Sequence, residues 1–136
     1  MNSASNQYSY QDNPQYNWRN SYFAVYKKAN IKIVMLGDSI TQGIQWNELL
    51  GRADIANRGI GSDTTRGFLN RMADIIDLNH EFCFVMGGIN DIGHTIPVKE
   101  IGINIKIIID QCKYNNITPV VQSCLYVSRQ QRNWKK

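Results

Sequence analysis

The 136-residue sequence predicts an α/β fold built on a parallel sheet. From Ile31 onwards, short apolar runs typical of strands alternate with longer amphipathic stretches typical of helices. Three of the apolar runs end in loops rich in glycine and small polar residues. Alternation of this kind indicates parallel strands with right-handed crossovers. In such a sheet the three loops emerge at the same edge, where α/β proteins place their ligands.

The chain is divided by its composition into an N-terminal arm, residues 1–30, and a domain, residues 31–136. The first 20 residues are rich in Asn, Gln, Ser and Tyr, which predicts a loosely ordered, partly disordered arm. Tyr22, Phe23 and Tyr26 follow at helical spacing and predict a short helix docked on the domain. The aromatic residues of the arm could form a sugar-stacking surface, but packing across the core is the more common use.

Four strands are predicted, and they lie at 31–36, 55–56, 82–86 and 118–127. A helix is expected around Trp46, Leu49 and Leu50. A second, from Thr64 to Asn79, carries an apolar stripe and can be capped by Thr64 or Asp63. The stripe comprises Phe68, Leu69, Met72, Ile75 and Ile76. A third helix should run from Pro97 to Tyr114 with Pro97 in its first turn. Its expected buried face comprises Val98, Ile101, Ile105, Ile108 and Cys112.

The first predicted strand runs directly into the segment Gly37-Asp38-Ser39-Ile40-Thr41. Glycine permits a sharp turn there, and a serine at the carboxyl end of a strand stands where a nucleophilic hydroxyl is needed. Ser39 could instead be a helix N-cap, which is a common role for serine in such a turn. The pentapeptide alone leaves both interpretations open.

Two further loops, Asn57 to Thr65 and Gly87 to Asp91, follow the second and third strands. Together with the Ser39 turn they offer a hydroxyl, flexible backbone N–H groups and a side-chain amide. These are the parts of a nucleophile with an oxyanion hole.

These three blocks, in this order and at this spacing, resemble the SGNH (GDSL-type) hydrolases from Ile31 to the end of the chain. The resemblance implies a flavodoxin-like three-layer α/β/α sandwich and hydrolysis of esters, often of acyl groups on sugars, lipids or small molecules. It assigns Ser39 as the nucleophile, with an oxyanion hole formed by the backbone N–H groups of Ser39 and Ser62 and the side-chain amide of Asn90.

The sequence departs from the family pattern in two places. Many members carry glycine at the position of Ser62, although a backbone donor survives if Ser62 adopts the same dihedral angles. The family's C-terminal Asp-x-x-His, which supplies the general base, has no counterpart before Lys136. We therefore expect a domain truncated after its fourth strand and impaired in catalysis.

The chain has only two histidines, and neither is expected to act as the base. Asp91-Ile92-Gly93-His94 has the right local spacing but overlaps the third block, so it is interpreted as a coincidence of pattern. His80 lies between a helix and a strand, on the opposite edge of the predicted sheet.

Three other functions remain open on the sequence. The chain could be a non-catalytic fragment or pseudoenzyme. Asp38, Asp63 and Asp91 could converge on Mg²⁺ in a phosphatase, but then the loop glycines and Asn90 have no special role. Gly59 to Thr64 is an imperfect dinucleotide fingerprint, and it follows the second strand rather than the first.

Composition restricts the partners. The net charge of +4 comes from scattered basic residues, which argues against nucleic-acid binding. Three cysteines, Cys83, Cys112 and Cys124, are interpreted as small buried hydrophobic residues, which suits a reducing, cytoplasmic compartment. Neither a signal peptide nor a membrane span is indicated, and we expect no cofactor and no metal. The expected partner is a small-molecule or carbohydrate ester. The chain is also expected to be poorly soluble or to self-associate through an exposed fourth strand.

Overall fold

The computed structural model of the protein describes residues 8–26 and 30–124. Four strands form its sheet: β1 Ile33–Gly37, β2 Ile55–Gly59, β3 Phe82–Met86 and β4 Thr118–Val121. A 3-10 turn, Tyr10–Asp12, precedes seven helices: α1 Pro14–Val25, α2 Ser39–Gln42, α3 Trp46–Leu50, α4 Thr65–Asn70, α5 Met72–Ile76, α6 Ile89–Gly93 and α7 Val98–Tyr114.

The sheet is entirely parallel, with the strand order β2-β1-β3-β4. The predicted α/β fold is therefore confirmed. At the carboxyl edge, Gly37 of β1 pairs with Gly59 of β2 on one side and with Met86 of β3 on the other. This register places the ends of three neighbouring strands, and the three loops that follow them, side by side.

The main core lies between one face of the sheet and helices α4, α5 and α7. Its buried residues include Val34, Leu36, Ala56, Cys83 and Val85 from the strands and Phe68, Met72, Ile75, Ile108 and Cys112 from the helices. On the opposite face, Asn57 of β2 donates from its side-chain amide to the carbonyls of Thr41 (3.0 Å) and Gln42 (3.2 Å) in α2. Helices thus flank the sheet on both sides.

The helix predicted over 64–79 is interrupted at Arg71, which has φ −108° and ψ 10°. The apolar stripe does face the core, so its period was predicted correctly. The prediction of one continuous helix was wrong. At the break, the backbone of Arg71 is not helical and its guanidinium lies against the ends of β1 and β2. It donates to the carbonyls of Arg58 (2.6 Å) and Gly37 (3.2 Å) and pairs with Asp63 (2.9 Å).

Helix α7 has the predicted length but not the whole predicted buried face. Pro97 is its N-cap residue rather than part of its first turn. Val98 is 75% exposed, because the first turn of the helix extends beyond the core. Asn104 is buried instead, and its amide donates to the hydroxyl of Thr65 at 2.9 Å.

Two further expectations need correction or fall partly outside the described residues. Strand β4 ends at Val121, and the Leu125-Tyr126-Val127 part of the predicted strand lies outside the described residues. Cys83 and Cys112 are free and fully buried, as predicted, whereas Cys124 is exposed because it follows the end of β4 at the rim of the sheet. Within the described ranges, the helices are all too short or too polar to traverse a bilayer.

The N-terminal arm docks more extensively than the composition indicates. Its helix α1 begins at Pro14, well before the aromatic residues that suggested it. Tyr16 is 2% exposed and donates its hydroxyl proton to the carbonyl of Gly67 at 2.7 Å. The arm is therefore anchored on the domain between residues 8 and 26.

Candidate active site

The turn after β1 is very tightly packed. A Cβ on Gly37 would collide with the side chain of Thr41 and lie 2.8 Å from the carbonyl oxygen of Met86. Only glycine fits at this position without moving the neighbouring strand. The chain thus enters α2 immediately after the strand, with Asp38 and Ser39 at the carboxyl edge.

Asp38 is the N-cap of α2, and Ser39 is the first helical residue. The Asp38 carboxylate, 1% exposed, accepts from the backbone N–H of Ile40 at 3.0 Å. The interpretation of Ser39 as the N-cap is therefore wrong, because its neighbour already has that role. Ser39 is exposed, and its hydroxyl has no hydrogen-bond partner within the described ranges.

The loop after β2 has nearly all its backbone donors occupied. The N–H groups of six of its seven residues have acceptors: Gly59 (Asn57 Oδ1), Ile60 (Gly37 O), Gly61 (Gln42 Oε1), Asp63 (Ile60 O), Thr64 (Asp63 Oδ1) and Thr65 (Asp91). From residue 59 to residue 65, Ser62 has the one N–H without a partner among the described residues. An unpaired donor at the sheet edge is what an oxyanion hole requires.

Ser62 has a φ of 59°, in the left-handed region that favours glycine. The serine therefore adopts the type of backbone conformation that a glycine at this position would adopt easily. Its side chain is exposed, and its carbonyl lies 3.5 Å from the hydroxyl of Tyr8.

The loop after β3 leads into α6 through Gly88, which has a φ of 107°. Asn90 is half-buried in the first turn of α6 and donates through Nδ2 to the carbonyl of Asp63 at 2.9 Å. An amide group carries two N–H donors. The bond to Asp63 therefore orients the Asn90 side chain against the second loop and leaves its other N–H available.

The next residue, Asp91, is fully buried and joins the third loop to the second. It accepts from the Thr65 backbone N–H at 3.0 Å and from the Thr65 hydroxyl at 2.5 Å. Thr64 is the N-cap residue of α4, as predicted, but its side chain makes no capping hydrogen bond, and the Asp91 carboxylate instead accepts from the first N–H of the helix.

Each of the three buried aspartates, Asp38, Asp63 and Asp91, accepts hydrogen bonds from neighbouring groups. Burial raises the pKa of Asp38, Asp91 and Asp63, the last to about 6, although Arg71 and the backbone N–H bonds oppose the rise. Within the described ranges, no group of three or more acidic, histidine or cysteine side chains is arranged to hold a metal ion. The observed contacts give the magnesium phosphatase no support.

The two histidines lie in different environments. His80 is 5% exposed in the segment leading into β3, at the opposite edge of the sheet from Ser39. His94 is exposed at the end of α6, and its ring stacks on that of Tyr8 with centroids 3.5 Å apart and planes 4° from parallel. No hydrogen bond joins either histidine to Ser39 among the described residues.

Two residues of the arm, neither of them predicted as part of the site, contact the second loop. Asn13 is 4% exposed; its Nδ2 donates to the carbonyl of Gly61 at 2.8 Å while its Oδ1 caps α1. The Arg19 guanidinium lies 3.4 Å from the carbonyl of Gly59. The Asn13-Pro14 pair is a recognisable helix start, but nothing in the sequence indicates which carbonyl the amide would meet.

The loop from Gly59 to Thr64 is also the one that resembles a dinucleotide fingerprint. A dinucleotide site needs free backbone N–H groups pointing at a pyrophosphate. Here one N–H of the loop is unpaired in the described structure, and the loop follows β2 rather than the first strand. The geometry therefore argues against this alternative.

Comparison with known proteins gives a consistent picture. A family model described as the GDSL-like lipase/acylhydrolase family matches residues 35–135. No curated protein matches the chain. A structure from Desulfitobacterium hafniense described as a lipolytic protein of the G-D-S-L family is 25% identical, with a TM-score of 0.67 over 78% of this chain and 66% of that one.

Two other solved structures are similar to the same degree. One from Bacteroides fragilis, described as an acylhydrolase, is 25% identical, with a TM-score of 0.66 over 87% of this chain and 60% of that one. One from Streptococcus pneumonia, described as a platelet activating factor, is 26% identical, with a TM-score of 0.71 over 88% of this chain and 58% of that one. The chain thus spans less than two thirds of the length of these structures.

Proposed function

Because the chain belongs to the GDSL-like lipase/acylhydrolase family, we propose that it is a serine ester hydrolase with Ser39 as its nucleophile. One observation carries the proposal. The unpartnered N–H of Ser62 and the unpartnered hydroxyl of Ser39 stand at the ends of two paired strands, among otherwise satisfied loop groups of the described structure.

In the proposed reaction the Ser39 Oγ attacks the carbonyl carbon of an ester. The bond from that carbon to the alkoxy oxygen then breaks, the alcohol leaves with a proton, and the acyl group remains on Ser39 until water releases it. The negative charge that develops on the carbonyl oxygen would be stabilised by the N–H groups of Ser39 and Ser62 and by the second N–H of Asn90. Each such donor typically contributes about 3 kcal/mol to lowering the barrier.

The hydroxyl proton of Ser39 needs a base, and within the printed sequence the histidines offer a poor one. His80 lies at the opposite edge of the sheet from Ser39. The ring of His94 stacks on Tyr8, and no hydrogen bond joins it to Ser39 among the described residues. We therefore propose that the 136 residues by themselves transfer acyl groups slowly. Loss of a triad member still leaves the catalysis that comes from the oxyanion hole and binding.

We propose esters of carbohydrates or lipids as the substrate class. The support is the family and the descriptions of the similar structures as lipolytic protein, acylhydrolase and platelet activating factor. Between the Ser39 turn and the third loop, Ile40, Met86 and Ile89 line a shallow depression beside Asp38, with room for about one water molecule.

Slow acyl transfer is best measured as the covalent product. The protein is incubated with p-nitrophenyl acetate, and acetylation is followed residue by residue by mass spectrometry of its peptides. We expect Ser39 to be acetylated at least tenfold faster than Ser21, an exposed serine of α1 that serves as an internal reference. Because deacylation needs the same base, the adduct should accumulate.

Asn90 is the third proposed donor of the oxyanion hole, and its substitution tests that role. Asn90→Ala should slow the acetylation of Ser39 by at least tenfold. The matched control, Asn115→Ala, removes an exposed amide beyond the end of α7 and should leave the rate unchanged. If Ser39 reacts no faster than Ser21, or if Asn90→Ala changes nothing in a folded protein, the chain is a non-catalytic member of its family.

A further inference from the structure

A second cavity lies away from Ser39, between helix α1 of the arm and helix α5 of the domain. It has a volume of about 220 Å³. Its apolar wall comprises Phe23, Ala24, Ile75 and Leu78, and its polar wall comprises Asn20, Arg58, Arg71 and Asp74. An apolar chamber with a few convergent polar groups is the usual form of a small-molecule site.

Arg58 is the unusual member of this wall. It points from β2 toward the helices on the core face, since it pairs in register with the core residue Leu36. The residue is 7% exposed, yet no carboxylate lies within ion-pair distance of it in the described part of the chain. Buried charges are normally paired, so an unpaired guanidinium facing a cavity needs an explanation.

The contacts of Arg58 satisfy it only in part. One Nη donates to the backbone carbonyl of Asn57 at 3.0 Å. The guanidinium carbon also lies 4.7 Å from the centroid of the Phe23 ring and 5.9 Å from that of Tyr26. A guanidinium has five N–H donors. One Nη of Arg58 has a protein acceptor in the described structure, and its other nitrogens are open to solvent and available to a ligand in the cavity.

The charges around the cavity add up to an excess of positive charge. Arg71 is already neutralised, because both its Nε (3.1 Å) and its Nη2 (2.9 Å) contact Asp63. Arg19 adds a further positive charge nearby. Burial lowers the pKa of Arg58, and the positive charges of Arg71 and Arg19 lower it further. Asp74 is exposed, so its charge is screened by water.

We propose that this cavity binds a small carboxylate with an apolar tail, whose carboxylate pairs with Arg58 and whose tail packs against Phe23, Ile75 and Leu78. A planar guanidinium matches a carboxylate through two parallel hydrogen bonds. The site is separate from Ser39, so the proposal does not depend on the esterase activity.

The size and lining of the cavity restrict the class of ligand that it can bind. Its volume of about 220 Å³ equals that of about seven molecules of liquid water, which suits a carboxylate of about four to six carbons. Inorganic phosphate has no apolar group to place against Phe23, Ile75 and Leu78. An uncharged alcohol of the same length leaves Arg58 unpaired.

Calorimetric titration and thermal unfolding with sodium hexanoate test the proposal, with 1-hexanol and inorganic phosphate as comparison ligands. We expect saturable binding of hexanoate and a rise in the melting temperature, and neither effect from hexanol or phosphate at the same concentrations. Arg58→Met should weaken the binding of hexanoate at least tenfold. The matched control, Arg66→Met, removes the same charge from an exposed side chain of α4 and should bind hexanoate normally.

Arg58→Lys keeps the positive charge and covers the case in which Arg58→Met does not fold. Lysine lacks the planar fork, so this variant should bind hexanoate several-fold more weakly than the parent protein. The proposal is overturned if hexanoate shows no saturable binding, if hexanol or phosphate binds as tightly, or if Arg58 variants bind hexanoate as well as Arg66→Met does.

Discussion

Replacement of His80 by leucine should reduce the sensitivity of this protein to acid. His80 is 5% exposed, and neither ring nitrogen has a hydrogen-bond partner in the described structure. Burial, assisted by the positive charge of Arg58, lowers its pKa from 6.5 to about 4. The folded protein therefore favours the neutral imidazole much more than the unfolded chain does.

The size of the effect follows from the two pKa values. Their separation, 6.5 in the unfolded chain against about 4 in the folded protein, corresponds to about 3 kcal/mol of unfolding free energy. Because the folded pKa is depressed, this contribution is fully present above pH 6.5. It is lost as the pH falls through 6.5 to about 4, where protonation favours the unfolded chain.

Urea unfolding at pH 7.5, 5.5 and 4.5 measures the effect. Between pH 7.5 and 4.5 the parent protein should lose about 2.5 kcal/mol more than His80→Leu, since pH 4.5 is still above the folded pKa of about 4. The contributions of the carboxylates are shared and cancel in the difference. At pH 7.5 the variant should be at least as stable as the parent, since leucine has no unpaired polar atoms.

His94→Leu, at an exposed position, serves as the control and should follow the parent protein. Parallel loss of stability in the parent and in His80→Leu between pH 6.5 and 4 would refute the reasoning. It would mean that His80 takes up its proton in the native state without cost.

Three further predictions concern the arm, the buried ion pair and the sheet edge. Asn13→Ala removes both the cap of α1 and the bond to Gly61, and should lower the unfolding free energy by about 2 kcal/mol in urea; an unchanged midpoint would contradict the docking of the arm. Asp63→Asn leaves Arg71 buried and unpaired and should lower the free energy of unfolding by about 3–5 kcal/mol. Asp54→Asn breaks an exposed ion pair and should change the free energy of unfolding little. Equal losses in the two variants would contradict the expected effect of burial. The outer edge of β4, where Val121 is 47% exposed, has no strand beside it in the described structure. The 136-residue protein should therefore self-associate as its concentration rises, which light scattering would detect as an increase in mass. A monodisperse monomer at all concentrations would contradict this prediction.

Much of the fold could be predicted because it depends on local patterns. The β-branched and apolar runs predicted where the strands lie, and the glycine-rich loops predicted which edge of the sheet carries the strand ends. The pattern predicted three loops at one edge of the sheet, and the resemblance to the SGNH hydrolases assigned Ser39, Ser62 and Asn90 to a single site there. The register of Gly37 with Gly59 and Met86 places these loops side by side.

The sequence could not predict features that depend on partners far away in the chain. The break at Arg71 arises because its guanidinium meets the carbonyls of Gly37 and Arg58 and the carboxylate of Asp63. Helical periodicity contains no information about such a contact. The docking of Asn13 on Gly61 has the same origin, since any buried asparagine needs partners but its type does not specify them.

The position of Tyr8 has a practical consequence for anyone who produces this protein. Its ring stacks on His94, and its hydroxyl reaches the carbonyl of Ser62, so the arm passes directly beside the second and third loops. Seven residues separate Tyr8 from the amino terminus, and an extended segment of that length spans at most about 25 Å. An affinity tag fused at the amino terminus therefore begins within that distance of the second and third loops, so the proposed acetylation of Ser39 should be compared with and without the tag.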